Sequence, residues 1–142
     1  MQQLTEFVLN NLLLFAALLV VLVMLIKAEL DHQANKGLQL SPSMATRLMN
    51  NNDEMLILDI RTAADYKGGH IKGAKSLPLS DLNKDIDKLA SNKSGPVLVY
   101  CNSGNTAGGA IKTLKKAGFE NINNLEGGIV AWKDANMPLT RK

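Results

Sequence analysis

The chain has a single cysteine, Cys101, which excludes an intramolecular disulfide framework and a multi-cysteine zinc site. It has no Lys or Arg before Lys27; all sixteen follow that point. There they face every acidic residue but Glu6, so the excess of positive charge is mild and spread out. A pI near 9.0 of this kind is not the footprint of a nucleic-acid partner. Neither GxxxxGK[ST] nor GxGxxG occurs, so a nucleotide loop is not indicated. Internal repeats and low-complexity tracts are missing too. With 142 residues, 46% apolar and 20% charged, the chain is neither disordered nor polytopic, and has room for one domain and an appendage.

What is present is a long apolar run. Residues 12–26 are fifteen apolar residues without a break, and counting from Phe7, with Asn10 and Asn11 included, gives twenty. Twenty helical residues rise about 30 Å, the thickness of a bilayer's hydrocarbon core. A buried core helix shows polar residues every third or fourth position, and residues 12–26 show none. A cleaved signal peptide needs a positive leader and a small-x-small cleavage site. Here residues 1–6 carry no cation, and Lys27-Ala28-Glu29-Leu30-Asp31 follows the run. The expected organisation is an uncleaved transmembrane anchor at 1–27, a polar linker at 28–37 and a domain at 38–142. The lipid bilayer is then one partner. Lys27 and Lys36 flank the C-terminal end of the run, which places the N-terminus outside and the domain in the cytoplasm. Asn10 and Asn11 either dock a second helix or mark the membrane interface.

Strand and helix signals alternate through the domain. Ser41-Pro42 opens a helix, with Ser as N-cap and Pro in the first turn, striped by Ala45, Leu48 and Met49. Residues 55–60, apolar but for Asp59, and the continuous apolar run 97–100 read as buried strands, the second hydrophobic on both faces as a central parallel strand is. Residues 63–67 make a helical turn closed by Gly68-Gly69, and 75–79 a short strand. Leu79, Leu82, Ile86 and Leu89 recur at helical spacing until 91–96 breaks the pattern. Ala107, Ala110, Ile111 and Leu114 stripe another helix, ended by Gly118. Residues 121–125 are a weaker strand, and 129–135, with Trp132, a final helix. This alternation predicts an α/β domain with a mainly parallel sheet covered on both sides.

In such sheets ligands bind off the carboxyl ends of the strands. There Tyr100-Cys101-Asn102-Ser103-Gly104-Asn105-Thr106-Ala107 joins the strongest strand to a helix. A tight turn at Gly104 and a helix N-terminus aim amides at the sulfur, which favours a thiolate near neutral pH. The same spacing also suits a buried cysteine that fills space at a strand end. A cysteine phosphatase with this layout needs Arg six residues after Cys, where Ala107 stands. A Cys-His hydrolase has only His32, in the linker, or His70, which reads as a turn residue within Gly69-His70-Ile71.

From about Leu38 onward these pieces resemble the rhodanese-like domain family. Asp59-Ile60-Arg61 is followed by Asp65-Tyr66 and by Gly69-His70-Ile71-Lys72-Gly73-Ala74; then come the strand ending in Cys101 with its loop, and Gly127-Gly128-Ile129-Val130-Ala131-Trp132 with Pro138-Leu139. With the apolar run added, the chain is similar to small bacterial membrane-anchored single-domain rhodaneses, which implies a single-pass protein of the bacterial inner membrane. The resemblance implies a three-layer fold with a five-stranded, mainly parallel sheet. It also implies sulfurtransferase chemistry without a metal or cofactor. In that chemistry Cys101 is the nucleophile, taking sulfur from a small donor as a persulfide and passing it to a thiol acceptor. The amides of Asn102, Ser103, Gly104, Asn105, Thr106 and Ala107 hold the persulfide anion.

Asp59 and Arg61 either support the same mouth or stabilise neighbouring loops, while Trp132 and Tyr66 are assigned to packing. Many family members carry Arg five residues after the cysteine, where this chain has Thr106. No cation in the loop then attracts an anionic donor such as thiosulfate. That departure leaves a second reading, a non-catalytic module that binds another membrane protein.

Overall fold

Residues 1–35 and 38–141 are described by the computed structural model, as two units: Met1–Ala34 and Asn35–Lys142. In the first, helices α1 (Gln2–Asn10) and α2 (Leu12–Asn35) meet at Asn11. The Asn11 amide Nδ2 donates to the Phe7 carbonyl at 2.8 Å, and its backbone N–H donates to the same carbonyl at 3.1 Å. A short polar side chain that bonds to backbone competes with the helical ladder, which is why the break falls here. Within Leu12–Ala34 the most apolar eighteen-residue window has a mean hydropathy of 2.6 and none of its residues is buried, making the stretch a candidate membrane span by length and composition.

Helix α2 runs beyond the apolar residues to Asn35, so most of the segment expected as a polar linker is helical. Ala28, Glu29, Leu30 and Gln33 are good helix formers, and no Gly or Pro interrupts them. Gln33 Nε2 also donates to Glu29 Oε1 one turn back at 2.9 Å. Lys36 and Gly37 of that linker, and Lys142 at the end of the domain, lie outside the described residues.

The second unit is built on strands β1 (Leu38–Leu40), β2 (Leu56–Asp59), β3 (Lys75–Ser76), β4 (Val97–Tyr100) and β5 (Ile122–Leu125). They form one sheet in the order β1-β5-β4-β2-β3, with every neighbouring pair parallel. Strand β4 is central and all four of its side chains are buried. Its Val97 and Val99 meet Ala110, Ile111 and Leu114 of α6 (Ala107–Lys116) and Leu82 of α5 (Leu82–Asp85). Leu98 and Tyr100 project to the opposite face, against Ala45 of α3 (Pro42–Asn50) and Ile129 and Trp132 of α7 (Gly128–Asp134). Each fully buried Val or Leu contributes about 1.5–3 kcal/mol, so a strand apolar on both faces requires helices on both. The result is the three-layer α/β fold that the alternating pattern predicts.

The helix at Ser41-Pro42 starts as expected, with Ser41 Oγ accepting the Met44 N–H at 3.4 Å. Helix α4 (Ala63–Gly68) is capped likewise, Thr62 Oγ1 accepting from the Asp65 amide at 3.2 Å. Three elements differ from the sequence reading. Strand β1 has no counterpart in that reading: two of its three side chains are exposed, so it has no alternation to read, and parallel pairing with β5 defines it. The strand expected at 75–79 stops at Ser76. Leu77 and Leu79 still donate to the Asp59 and Ile60 carbonyls, but two residues here answer to one on β2, so the regular parallel register ends. The stripe from Leu79 to Leu89 becomes α5 and a 3-10 stretch, Ile86–Asn92, with Leu79 outside both. Ile86 and Leu89 are three apart, the repeat at which a 3-10 helix stacks its side chains.

Candidate active site

Cys101 leaves the C-terminal end of β4 and is 3% exposed. Residues 102–106 bend over it before α6 begins at Ala107. Gly104, at φ +87°, donates its backbone N–H to Cys101 Sγ at 2.9 Å. Only glycine takes such a φ at little cost, so this residue both turns the loop and delivers an amide to the sulfur. The sequence reading has all the amides from Asn102 to Ala107 converging there; among the described residues the bond to Sγ is made by Gly104. Asn102, Ser103, Asn105 and Thr106 are exposed, Gly104 is half-buried, and Ala107 is buried in the core beneath α6.

The loop is fastened from beneath by the start of α7. The Ile129 N–H donates to the Cys101 carbonyl at 2.9 Å, and the Val130 N–H to the Asn102 carbonyl at 3.1 Å. First-turn amides have no partner within their own helix, and here the cysteine loop supplies one. The contact needs Gly128, which precedes it. A Cβ on Gly128, at φ +59°, would overlap the Cys101 carbonyl oxygen and stand 2.5 Å from that of Asn102. In the sequence Gly127-Gly128 is only one piece of a resemblance; the geometry supplies the reason for Gly128.

Asp59 and Arg61 are buried where β2 ends. Arg61 Nη2 donates to Asp59 Oδ2 at 2.6 Å and to the Gly69 carbonyl at 2.8 Å, while its Nε donates to Oδ1 at 3.0 Å. The Tyr100 hydroxyl donates to the same Oδ2 at 2.7 Å and accepts the Ile71 N–H at 3.2 Å. Burial first, and then the bond to the carboxylate, push the Tyr100 phenol well above its ordinary 10.0. Among the described residues, Arg61's hydrogen bonds go to Asp59 and Gly69 and none goes to the cysteine loop. Of the two readings of this pair, the geometry favours loop stabilisation, since the network ties residues 69–71 to β2 and β4.

His70 is 4% exposed and stacks on Tyr66, with ring centroids 3.7 Å apart. Its Nδ1 donates to the Tyr66 carbonyl at 2.8 Å, and its backbone pairs with Thr140. The sequence reading has it in a turn; here it forms an isolated antiparallel bridge just ahead of the turn at 72–73. Tyr66 and Trp132 also serve packing, donating to the Ala74 and Pro138 carbonyls at 2.7 and 3.0 Å.

A parallel sheet whose central strand delivers one cysteine into a glycine-turned loop, braced by a helix N-terminus, defines a class of single-cysteine α/β domains. The family model described as Rhodanese-like domain matches residues 41–135, and the chain belongs to that family. It is 30% identical over 142 residues to YibN of Escherichia coli strain K12, covering 99% of both chains. A protein of Allochromatium vinosum described as Sulfurtransferase is 32% identical over 99 residues, 70% of this chain and 90% of that one. Among solved structures, the thiosulfate sulfurtransferase of Pseudomonas aeruginosa matches with a TM-score of 0.66 and 25% identity, over 79% of this chain and 22% of that one. The curated relatives differ in length: the chain spans about half, 49%, of one and 99% of another. The family is thus one of rhodanese-like sulfurtransferases.

Proposed function

We propose that the protein is a membrane-anchored sulfurtransferase that carries sulfane sulfur as a persulfide on Cys101. The observation that carries this reading is the Gly104 N–H bonded to Sγ at 2.9 Å, at the end of the central strand. The Cys101 thiolate attacks the outer sulfur of a donor. A new bond forms from Sγ to that sulfur while the donor's own bond to it breaks, and the leaving group departs with the electron pair, as sulfite when the donor is thiosulfate. An acceptor thiolate then attacks the outer sulfur, and Cys101 leaves as the thiolate. The Gly104 N–H, fixed by its turn, is placed to stabilise negative charge developing on Sγ. The exposed Asn102, Ser103, Asn105 and Thr106 form the rim across which donor and acceptor approach. The candidate span with Lys27 after it supports an inner-membrane location with the domain in the cytoplasm, where thiol acceptors stay reduced.

Full-length chain in detergent, given thiosulfate or a low-molecular-weight persulfide, should gain the mass of one sulfur atom at Cys101 and release it to cyanide. Cys101→Ala should gain none; equal labelling of that variant overturns the reading. The loop also sets donor preference. With no Lys or Arg between Asn102 and Ala107, the thiosulfate dianion should be a poorer donor than a less highly charged alkyl persulfide. Thr106→Arg should raise kcat/KM for thiosulfate about tenfold, mainly through KM, and the gain should shrink as salt is added. No gain at low ionic strength means that charge at this rim does not select the donor.

The uncharged loop also favours a second reading, a module that docks a membrane protein without chemistry. In membranes, crosslinked capture that survives Cys101→Ser supports docking; capture that depends on the thiol supports sulfur relay.

A further inference from the structure

The side chain of Asn124 is an anomaly in the core. It lies on β5, opposite Val99 of β4 on one side and Gln39 of β1 on the other, and is 1% exposed. Its Oδ1 is a buried side-chain acceptor without a hydrogen-bond partner among the described residues. An amide there costs stability that an aliphatic side chain would not, so its presence needs a reason. The reason lies on its other atom. Nδ2 faces the Gly104 carbonyl at 3.5 Å and Gln39 Oε1 at 3.4 Å. The Gly104 carbonyl can only accept, which fixes the amide with its nitrogen toward the loop. Gly104 is the residue whose N–H meets Sγ, and a Cβ on it would stand 3.2 Å from the Gly127 nitrogen. The glycine is therefore gripped between the sulfur, the α7 entry and Asn124.

We propose that Asn124 is a positioning residue for the sulfur site: it holds the Gly104 carbonyl from beneath the loop and so keeps the Gly104 N–H aimed at Cys101. This deepens the sulfurtransferase reading and rests on Cys101 being the sulfur-carrying atom. Asn124→Asp keeps the shape but turns a donor toward Gly104 into an acceptor and brings negative charge beneath the sulfur. Asn124→Leu removes the donor and the unpaired acceptor together. Asn123→Leu is the control: Asn123 is a buried amide one residue away on the other face, bonded to the Val97 carbonyl at 3.2 Å.

The readout is the rate of Cys101 alkylation by iodoacetamide against pH, measured by mass spectrometry on the full chain in detergent, with unfolding followed in parallel. Asn124→Asp should move the midpoint of the rate profile up by about one pH unit. Asn124→Leu should slow persulfide formation about tenfold while unfolding no more easily than Asn123→Leu, whose alkylation profile should match that of the unaltered chain. An unmoved profile in Asn124→Asp, or the same displacement in Asn123→Leu, overturns the proposal. Alkylation requires no sulfur donor. A profile that moves in a chain that forms no persulfide would therefore leave the positioning role standing and remove the sulfurtransferase reading instead.

Discussion

Gly128→Ala should cripple the cysteine loop, whereas Gly109→Ala, in the same unit, should be harmless. At Gly128 two costs add. An alanine at φ +59° sits in the left-handed region, at about 1–2 kcal/mol. Its methyl also overlaps the Cys101 carbonyl oxygen and crowds that of Asn102, and both are backbone atoms that no rotamer change can move aside. Either α7 backs away and gives up its bonds from Ile129 and Val130, or the loop shifts and takes Gly104 off the sulfur. The expected loss of stability is about 3 kcal/mol, within the range for strained backbone and forced overlap. Persulfide formation should fall about a hundredfold, the usual consequence of a nucleophile misplaced by about 1 Å. Gly109 lies within α6, where an added methyl would meet nothing within 4 Å, so Ala there should stabilise by about 0.5–1 kcal/mol. Trp132 is the one tryptophan and is 3% exposed, so urea unfolding followed by its fluorescence reports this unit alone. Persulfide formation within twofold of the unaltered chain in Gly128→Ala would show that α7 does not brace the loop.

This pair of substitutions also shows where sequence reading stops. The run at 97–100 announces a central strand because burial on both faces leaves no polar position, and the stripe from Ala107 to Leu114 announces its covering helix by spacing alone. Ser41 and Pro42 announce a helix start because capping is local chemistry. Each of these signals is contained within about a dozen residues. What is not legible depends on partners far along the chain. Strand β1 exists through β5, some eighty residues on, and shows no period of its own. Gly128 is explained only by the carbonyls at 101 and 102. Asn123 and Asn124 make β5 read as a weak strand, although both are buried and one faces the cysteine loop. Cys101 is legible because the strand, the glycine turn and the helix that place it are contiguous. Tyr100, one residue earlier, reads as part of an apolar strand, yet its hydroxyl joins Asp59 to Ile71 across three segments.

That hydroxyl network carries the other large expected effect. Asp59→Asn should destabilise the domain by about 3–5 kcal/mol, since it leaves the Arg61 guanidinium nearly buried without its counter-charge. The carboxylate now accepts from Arg61 Nε and Nη2, from the Arg61 backbone N–H at 3.0 Å and from Tyr100, and an amide cannot serve that many donors. Tyr100→Phe should be milder at neutral pH but should change the alkaline limb. In the folded chain the Tyr100 phenol keeps its proton to a pH well above 10.0, its ordinary value, because it is buried and bonded to Asp59. Below pH 10 both folded and unfolded chains hold that proton and the stability it reflects is fully present. Above pH 10 the unfolded chain releases the proton first, so folding loses about 1.4 kcal/mol per pH unit from this group. Trp132-monitored unfolding of the unaltered chain should therefore weaken more steeply above pH 10 than that of Tyr100→Phe. Parallel curves for the two would mean that the phenol does not hold its proton through Asp59. A loss below about 1 kcal/mol in Asp59→Asn would mean that the ion pair does not bind residues 69–71 to the strand ends that carry Cys101.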